Sequence, residues 1–146
     1  MNSLTSYIEA AAVAALAGTG TFVHDSPELA TLVLNSAMLP AIIYGEPTLA
    51  QADASSRVET STVTLYFATS KPGAGDSAAL HYGAVAQMDA LKHRFFSLLD
   101  SSPYVRIDAL KATPFANAYE AMLDGVGCQF LLTVPSAPLV VRCLPV

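Results

Sequence analysis

Apolar residues recur at helical spacing through Leu4, Ile8, Ala11, Ala12, Ala15 and Leu16, with Ser3 or Thr5 as the cap and Gly18 placed to stop the helix. The spacing predicts an N-terminal helix. Ser26-Pro27-Glu28 then combines a capping hydroxyl, a proline at the first helical position and an acid in the first turn. These three residues predict a short second helix ending near Met38, with a strand at Leu32-Val33-Leu34 as the alternative. Pro40 bars further helix, and the β-branched and aromatic run Ala41-Ile42-Ile43-Tyr44, ended by Gly45-Glu46-Pro47, predicts a short strand. Residues 48–56 are polar and read as a connecting loop.

The clearest alternation begins at Arg57, with Val63, Leu65 and Phe67 on one face and Thr60, Thr62, Thr64 and Tyr66 on the other. Tyr66 and Phe67 therefore point to opposite faces. Only one of them enters the core of a single sheet, and the other meets solvent or a partner. A turn-rich loop over residues 70–77 follows. Asp76 or Ser77 then caps a long helix whose apolar line runs Ala84, Met88, Leu91, Phe95, Leu98, while Gln87, Asp89, Lys92, His93 and Arg94 occupy the other face. Asp100-Ser101-Ser102-Pro103 closes this helix, residues 104–112 resume as a strand, and Thr113-Pro114-Phe115-Ala116-Asn117 reads as a corner. The last strand is expected to start near Ala118, to be interrupted at Asp124-Gly125 by a hairpin turn or a bulge, and to continue with Cys128, Phe130, Leu132 and Val134 on one face. Pro135, Pro138 and Pro145 make the tail extended, with Leu139-Val140-Val141 as an edge strand or docking arm. The order predicts an α+β fold: an antiparallel sheet of about four strands with the N-terminal helix and the long helix packed on one face. A single domain spans residues 1–134, and residues 135–146 form an extended C-terminal arm.

Composition changes the picture of the surface. Hydrophobic residues make up 53% of the 146 positions and charged residues only 13%, against a usual charged share of about 25%. So few charges leave little ionic material to cover a free monomer, and part of the surface is expected to meet other protein, the alternative being an Ala-rich domain whose surface is merely uncharged and covered by Ser and Thr. The net charge of -5 repels phosphate backbones, which argues against specific nucleic-acid binding. The deficit is uneven: residues 1–56 hold Glu9, Asp25, Glu28, Glu46 and Asp53 but no Lys or Arg. No apolar run reaches the roughly 18 to 20 residues that span a bilayer, and no basic region precedes the stretch at residues 10–18 as a secretory signal requires. A soluble, cytoplasmically made chain without membrane partners is expected. Cys128 and Cys143 lack any metal-ligand spacing and read as buried reduced thiols, a bridge between them remaining the alternative.

The search for chemistry returns little. Neither a GxSxG elbow nor an HExxH pair occurs, and Gly73-Ala74-Gly75 lacks the Gly-Lys-Ser/Thr ending of a phosphate loop. His81 and His93 lie about 18 Å apart along their helix, too far to share a metal, and both read as surface residues. His24-Asp25 offers a base beside a carboxylate, but adjacent residues rarely face each other productively, and Asp25 doubles as part of a cap. Asp89, Lys92 and His93 form a helix-surface ion-pair pattern, solvated or turned toward another subunit. No enzyme activity, metal or cofactor is expected from these residues.

In its order of elements the chain resembles the tail terminator (tail-completion) proteins of long-tailed bacteriophages. The likeness rests on the N-terminal helix, the acidic stretch, the Pro40-Ala41-Ile42-Ile43-Tyr44 strand, the alternation from Thr62 to Phe67 and the glycine-rich loop. It extends through the long helix and the closing strands that end in Asp124-Gly125-Val126-Gly127-Cys128-Gln129-Phe130-Leu131-Leu132-Thr133-Val134. The apolar, proline-rich tail and the extra segment from Ser26 to Met38 depart from that pattern. The resemblance implies a structural virion protein, assembled in the host cytoplasm, that forms a homo-oligomeric ring, hexameric in that family, at the head-proximal end of the tail. Its implied partners are copies of itself, the tail tube protein and the head-tail connector protein. The expected interaction residues are Lys71, Gly73, Gly75 and Asp76 in the loop, Tyr66 on the sheet, and Asp89, Lys92 and Arg94 on the long helix. Competing readings are another neck or tail protein, an injection-machine subunit, or a small ligand-binding α+β domain or enzyme with a pocket beneath the long helix.

Overall fold

A computed structural model of the chain describes residues 3–24, 39–45, 47–53, 58–70, 77–118 and 123–135. In chain order these form α1 (Ser3–Leu16), β1 (Thr21–His24), β2 (Ala41–Tyr44), β3 (Thr48–Asp53), β4 (Val58–Thr69), α2 (Ser77–Asp100), β5 (Arg106–Ala118) and β6 (Leu123–Pro135). The class is α+β, with two helices and a sheet of six strands among the described residues. The expected second helix or strand at residues 26–38 and the expected arm lie outside the described residues.

α1 ends where the sequence places its stop. Ala17 and Gly18 take positive φ of 52° and 84°, and the Thr19 amide and hydroxyl both donate to the Leu16 carbonyl, at 3.0 and 2.8 Å. Gly20 then lets the chain pass against the Pro40 carbonyl, which a Cβ at this position would overlap. The Thr21 amide donates to that same carbonyl at 3.0 Å and starts the parallel pairing of β1 with β2, Thr21 opposite Ala41 through His24 opposite Tyr44.

The sheet is larger than the expected four antiparallel strands, and it is mixed. Its order is β1-β2-β4-β6-β5, with β3 pairing β4 below β2. β1 is only four residues long and therefore too short to show an alternation. β3, expected as loop, takes its place through antiparallel pairing with β4, from Thr48 opposite Thr62 to Asp53 opposite Val58. Its exposed Thr48 and Leu49 show why no apolar pattern marks it: it is an edge strand held by backbone bonds.

The closing hairpin also departs from expectation. Residues 113–117 are no corner but the second half of β5, because a proline is tolerated on an edge strand when its missing N–H would have pointed away from the ladder. Ala118 ends β5 instead of starting the last strand. Asp124-Gly125 is neither turn nor bulge in β6, whose register with β4 runs unbroken from Val58–Pro135 to Thr69–Asp124. The irregularities belong to β5, which shifts register between Asp108 and Lys111 and again between Phe115 and Ala118. Ala109 sits in the first shift at φ 53°. Gly125 is required by proximity, since a Cβ there would run into the Phe67 carbonyl on β4.

One face of the sheet carries the main core. Val63, Leu65 and Phe67 of β4, with Val126, Cys128, Phe130, Leu132 and Val134 of β6, pack against Ile8, Ala12 and Leu16 of α1 and Met88, Leu91, Phe95 and Leu99 of α2. Phe67 meets Phe95 edge-on at a centroid distance of 5.6 Å, and Phe96 meets Phe130 at 5.0 Å. The buried line of α2 ends at Leu99, not Leu98, which is 41% exposed. A helix of 3.6 residues per turn drifts off a strict four-three alternation by its fourth step. Alternation puts Ala41, Ile43 and Ala68 on the opposite face, where they cluster with Val23 and Leu123, and with Leu39, Tyr66 and Phe115 at the margin. Tyr66 and Phe67 thus separate to the two faces as expected.

Candidate interaction surfaces and a buried histidine–aspartate pair

The outer face of the sheet is polar and half-exposed along β4, where Thr60, Thr62, Thr64 and Tyr66 stand in a row. Thr60 and Thr133, paired across β4 and β6, join their hydroxyls at 2.8 Å. At the upper end Tyr66 packs edge-on against Phe115, centroids 5.9 Å apart, and its ring lies over Gly127. Thr64, Lys111, Thr113 and Gln129 complete the wall of a shallow cleft of about 440 Å³. Of the expected interaction residues, Tyr66 is the one that lines this cleft.

Asp89, Lys92 and His93 do come together on α2. The Lys92 ammonium donates to Asp89 Oδ1 at 2.7 Å and His93 Nε2 lies 3.2 Å from Asp89 Oδ2. The bond from Lys92 holds the Asp89 carboxyl below its ordinary value, with the charges of Lys92 and His93 adding to the effect. Asp89 remains 45% exposed, so water screens the cluster. Arg94 points elsewhere. Its Nε donates to the Ala15 carbonyl at 3.3 Å, which sets a cation on the C-terminal turn of α1 and ties the two helices. Lys71, Gly73, Gly75 and Asp76 lie outside the described residues.

His81 is not the free surface residue its sequence position suggests. Its Nδ1 lies 2.8 Å from Oδ2 of Asp124, a fully buried side chain at the start of β6, while the His81 side chain keeps 25% exposure. Asp124 faces the helices because it shares parity with Val126 and Cys128. The sequence signal was obscured because Asp-Gly is a strong turn signature, whereas here the Gly serves a tight strand contact and the Asp turns inward. The pair first of all joins the N-terminal turns of α2 to the sheet.

His24 closes β1, but its side chain and Asp25 lie outside the described residues. Cys128 is a free, buried thiol, and burial pushes its pKa up to about 11 against the opposing charge of Lys92; Cys143 lies outside the described residues. Among the described residues no three His, Cys, Asp or Glu side chains gather closely enough to hold a metal ion, and no helix is long and apolar enough to cross a membrane. The region beneath α2 is filled by Met88, Leu91, Phe95 and Leu99, none more than 4% exposed.

The helical side carries a different kind of surface. Ala10, Val13 and Ala14 of α1, with Ala17 just past its end, form an exposed ridge of small and apolar side chains bordered by Glu9, with Val13 57% exposed. Between that ridge and Arg94, Ser97 and Leu98 of α2 runs an open groove of about 470 Å³. No protein-family model matches the chain, and a search of curated proteins finds no match to it.

Proposed function

We propose that the chain is a structural subunit of a bacteriophage tail, forming a homo-oligomeric ring at the head-proximal end that terminates the tail tube and meets the head connector. The observation that carries the reading is the α1 ridge with its flanking groove, where Val13 and Leu98 are 57% and 41% exposed among small uncharged residues, with Glu9 and Arg94 at the margins. A surface of this kind is stable in solution at low concentration and gains by being covered. The resemblance in element order supplies the identity of the assembly, and the ring, hexameric in that family, follows from it. On this reading binding energy halts tube growth, and no bond chemistry is involved. The loop that holds Lys71, Gly73, Gly75 and Asp76 is then the contact to tube or connector.

Electron microscopy of the purified chain mixed with isolated phage tail tubes tests the reading. Rings seated on one end of each tube are expected. Val13→Glu together with Leu98→Glu is expected to abolish them while leaving the melting temperature unchanged. Bare tube ends with the wild-type chain, together with a monomer at every concentration, would overturn the proposal.

A further inference from the structure

We infer that the β5 edge of one copy pairs, as an antiparallel strand, with the β3 edge of the next, so that the sheet continues from subunit to subunit. The inference rests on the ring reading above and adds to the α1 ridge a second contact, between the sheets of neighbouring copies.

β5 is the starting point. A strand in a sheet ordinarily hides at least one face, yet Ala109 through Pro114 and Ala116 are exposed whichever face they point to. Leu110 is 45% exposed. Among the described residues β5 pairs with β6 alone, so its far edge offers a row of backbone donors and acceptors. Pro114, opposite Val126, marks the phase of that row. A proline sits in a ladder where its absent N–H would have pointed outward, so residues of the same phase, Ala112 among them, direct their backbone groups away from β6.

The matching edge is β3. Among the described residues it pairs with β4 alone, and its Leu49 is 58% exposed. Direction supports the match. β3 is antiparallel to β4, β4 to β6 and β6 to β5, so the sheet at this end has four strands of alternating sense. An even number of alternating strands means that placing the next copy head to tail sets its β3 antiparallel to this copy's β5, with polarity preserved at every repeat. Charge supports it too. β3 holds Asp53 and no base, whereas β5 holds Arg106 and Lys111 against Asp108. Arg106 is engaged by its own Asp108 at 3.0 Å, and Lys111 has no ion pair among the described residues.

Two different surfaces joined head to tail generate a ring when the rotation per copy closes, and strand twist supplies a rotation of fixed hand. The two register shifts and Pro114 restrict which strand β5 accepts, as edge strands in other proteins are guarded.

The test uses the full-length chain. Ala112→Pro removes an outward N–H and intrudes a ring on the arriving strand, while the ladder to β6 is kept. Sedimentation across a concentration series is expected to show association weakened by about tenfold or more per interface, with an unchanged circular dichroism spectrum and melting temperature. Lys111→Glu and Asp53→Lys should each weaken association, and the two together should restore it, a rescue that a misfolded variant cannot give. Rings that form equally well with Ala112→Pro would overturn the strand pairing and leave the ring reading intact. Single exchanges that weaken assembly without mutual rescue would overturn β3 as the partner edge. A wild-type chain that forms no ring, alone or on tail tubes, would bring down both.

Discussion

His81 Nδ1 and Asp124 Oδ2 lie 2.8 Å apart across the junction of α2 and β6, with the carboxylate fully buried and the imidazole a quarter exposed. A buried carboxylate is tolerated only when it is bonded, so the pair fixes the height at which α2 meets the sheet. Replacing Asp124 by Ala leaves a small void and an unsatisfied imidazole, and a loss of about 1–3 kcal/mol in urea unfolding is expected. Asp124→Asn, which retains shape and hydrogen bonding, should lose less. Equal losses for the two variants would show that the charge, not the bond, matters here.

Gly125 stands against the Phe67 carbonyl, one pair from the Thr69–Asp124 end of the β4–β6 ladder. Gly125→Ala must push two central strands apart, and a destabilisation of at least about 2 kcal/mol is expected by urea denaturation. The same change at Gly18, where a Cβ meets open space but φ is 84°, should cost only about 1 kcal/mol.

Asp89 gives a defined pH dependence. Its folded pKa lies below the ordinary value because of Lys92, so its contribution is present above the unfolded carboxylate pKa and is lost as pH falls through the folded one. At 45% exposure the effect is a few tenths of a kcal/mol. Unfolding of Lys92→Met and wild type, compared between pH 6 and pH 3, should show the difference shrinking toward acid. Added salt should shrink it in the same way.

Cys128 moves the other way. Its folded pKa of about 11 lies above the ordinary thiol value of 9.0, so stability is fully present below about pH 9 and declines as pH rises toward 11. In a Cys143→Ser background the remaining thiol should resist a disulfide reagent at pH 8 and react at the free-thiol rate once urea unfolds the chain. Fast labelling of the folded protein would contradict its burial.

What the sequence made legible follows period and contrast. α1, β2, β4 and α2 each pair a strong apolar rhythm with a capping or breaking residue, and all four stand where that rhythm places them. β3 and the second half of β5 lacked the rhythm because edge strands bury little: polarity made residues 48–56 read as loop, and the Thr-Pro of residues 113–114 made 113–117 read as a corner. Parity alone put Tyr66 and Phe67 on opposite faces of β4. A helix-surface position does not reveal that Arg94 also bonds the end of a neighbouring helix. The His81–Asp124 bond joins residues from different elements and leaves no local trace.

β4 carries β2 and β3 along one side and β6 along the whole of the other. Its pairing with β6 joins Val58 to Pro135 and Thr69 to Asp124, across a segment that contains all of α2 and β5. The central seam therefore closes only after the chain has looped back over that distance, and the nearby β3–β4 hairpin is the sole pairing of β4 that proximity favours. A molecule wired this way has high contact order, and its folding speed is set by that one long-range closure, so a ring would be supplied with subunits no faster than each finds its own seam.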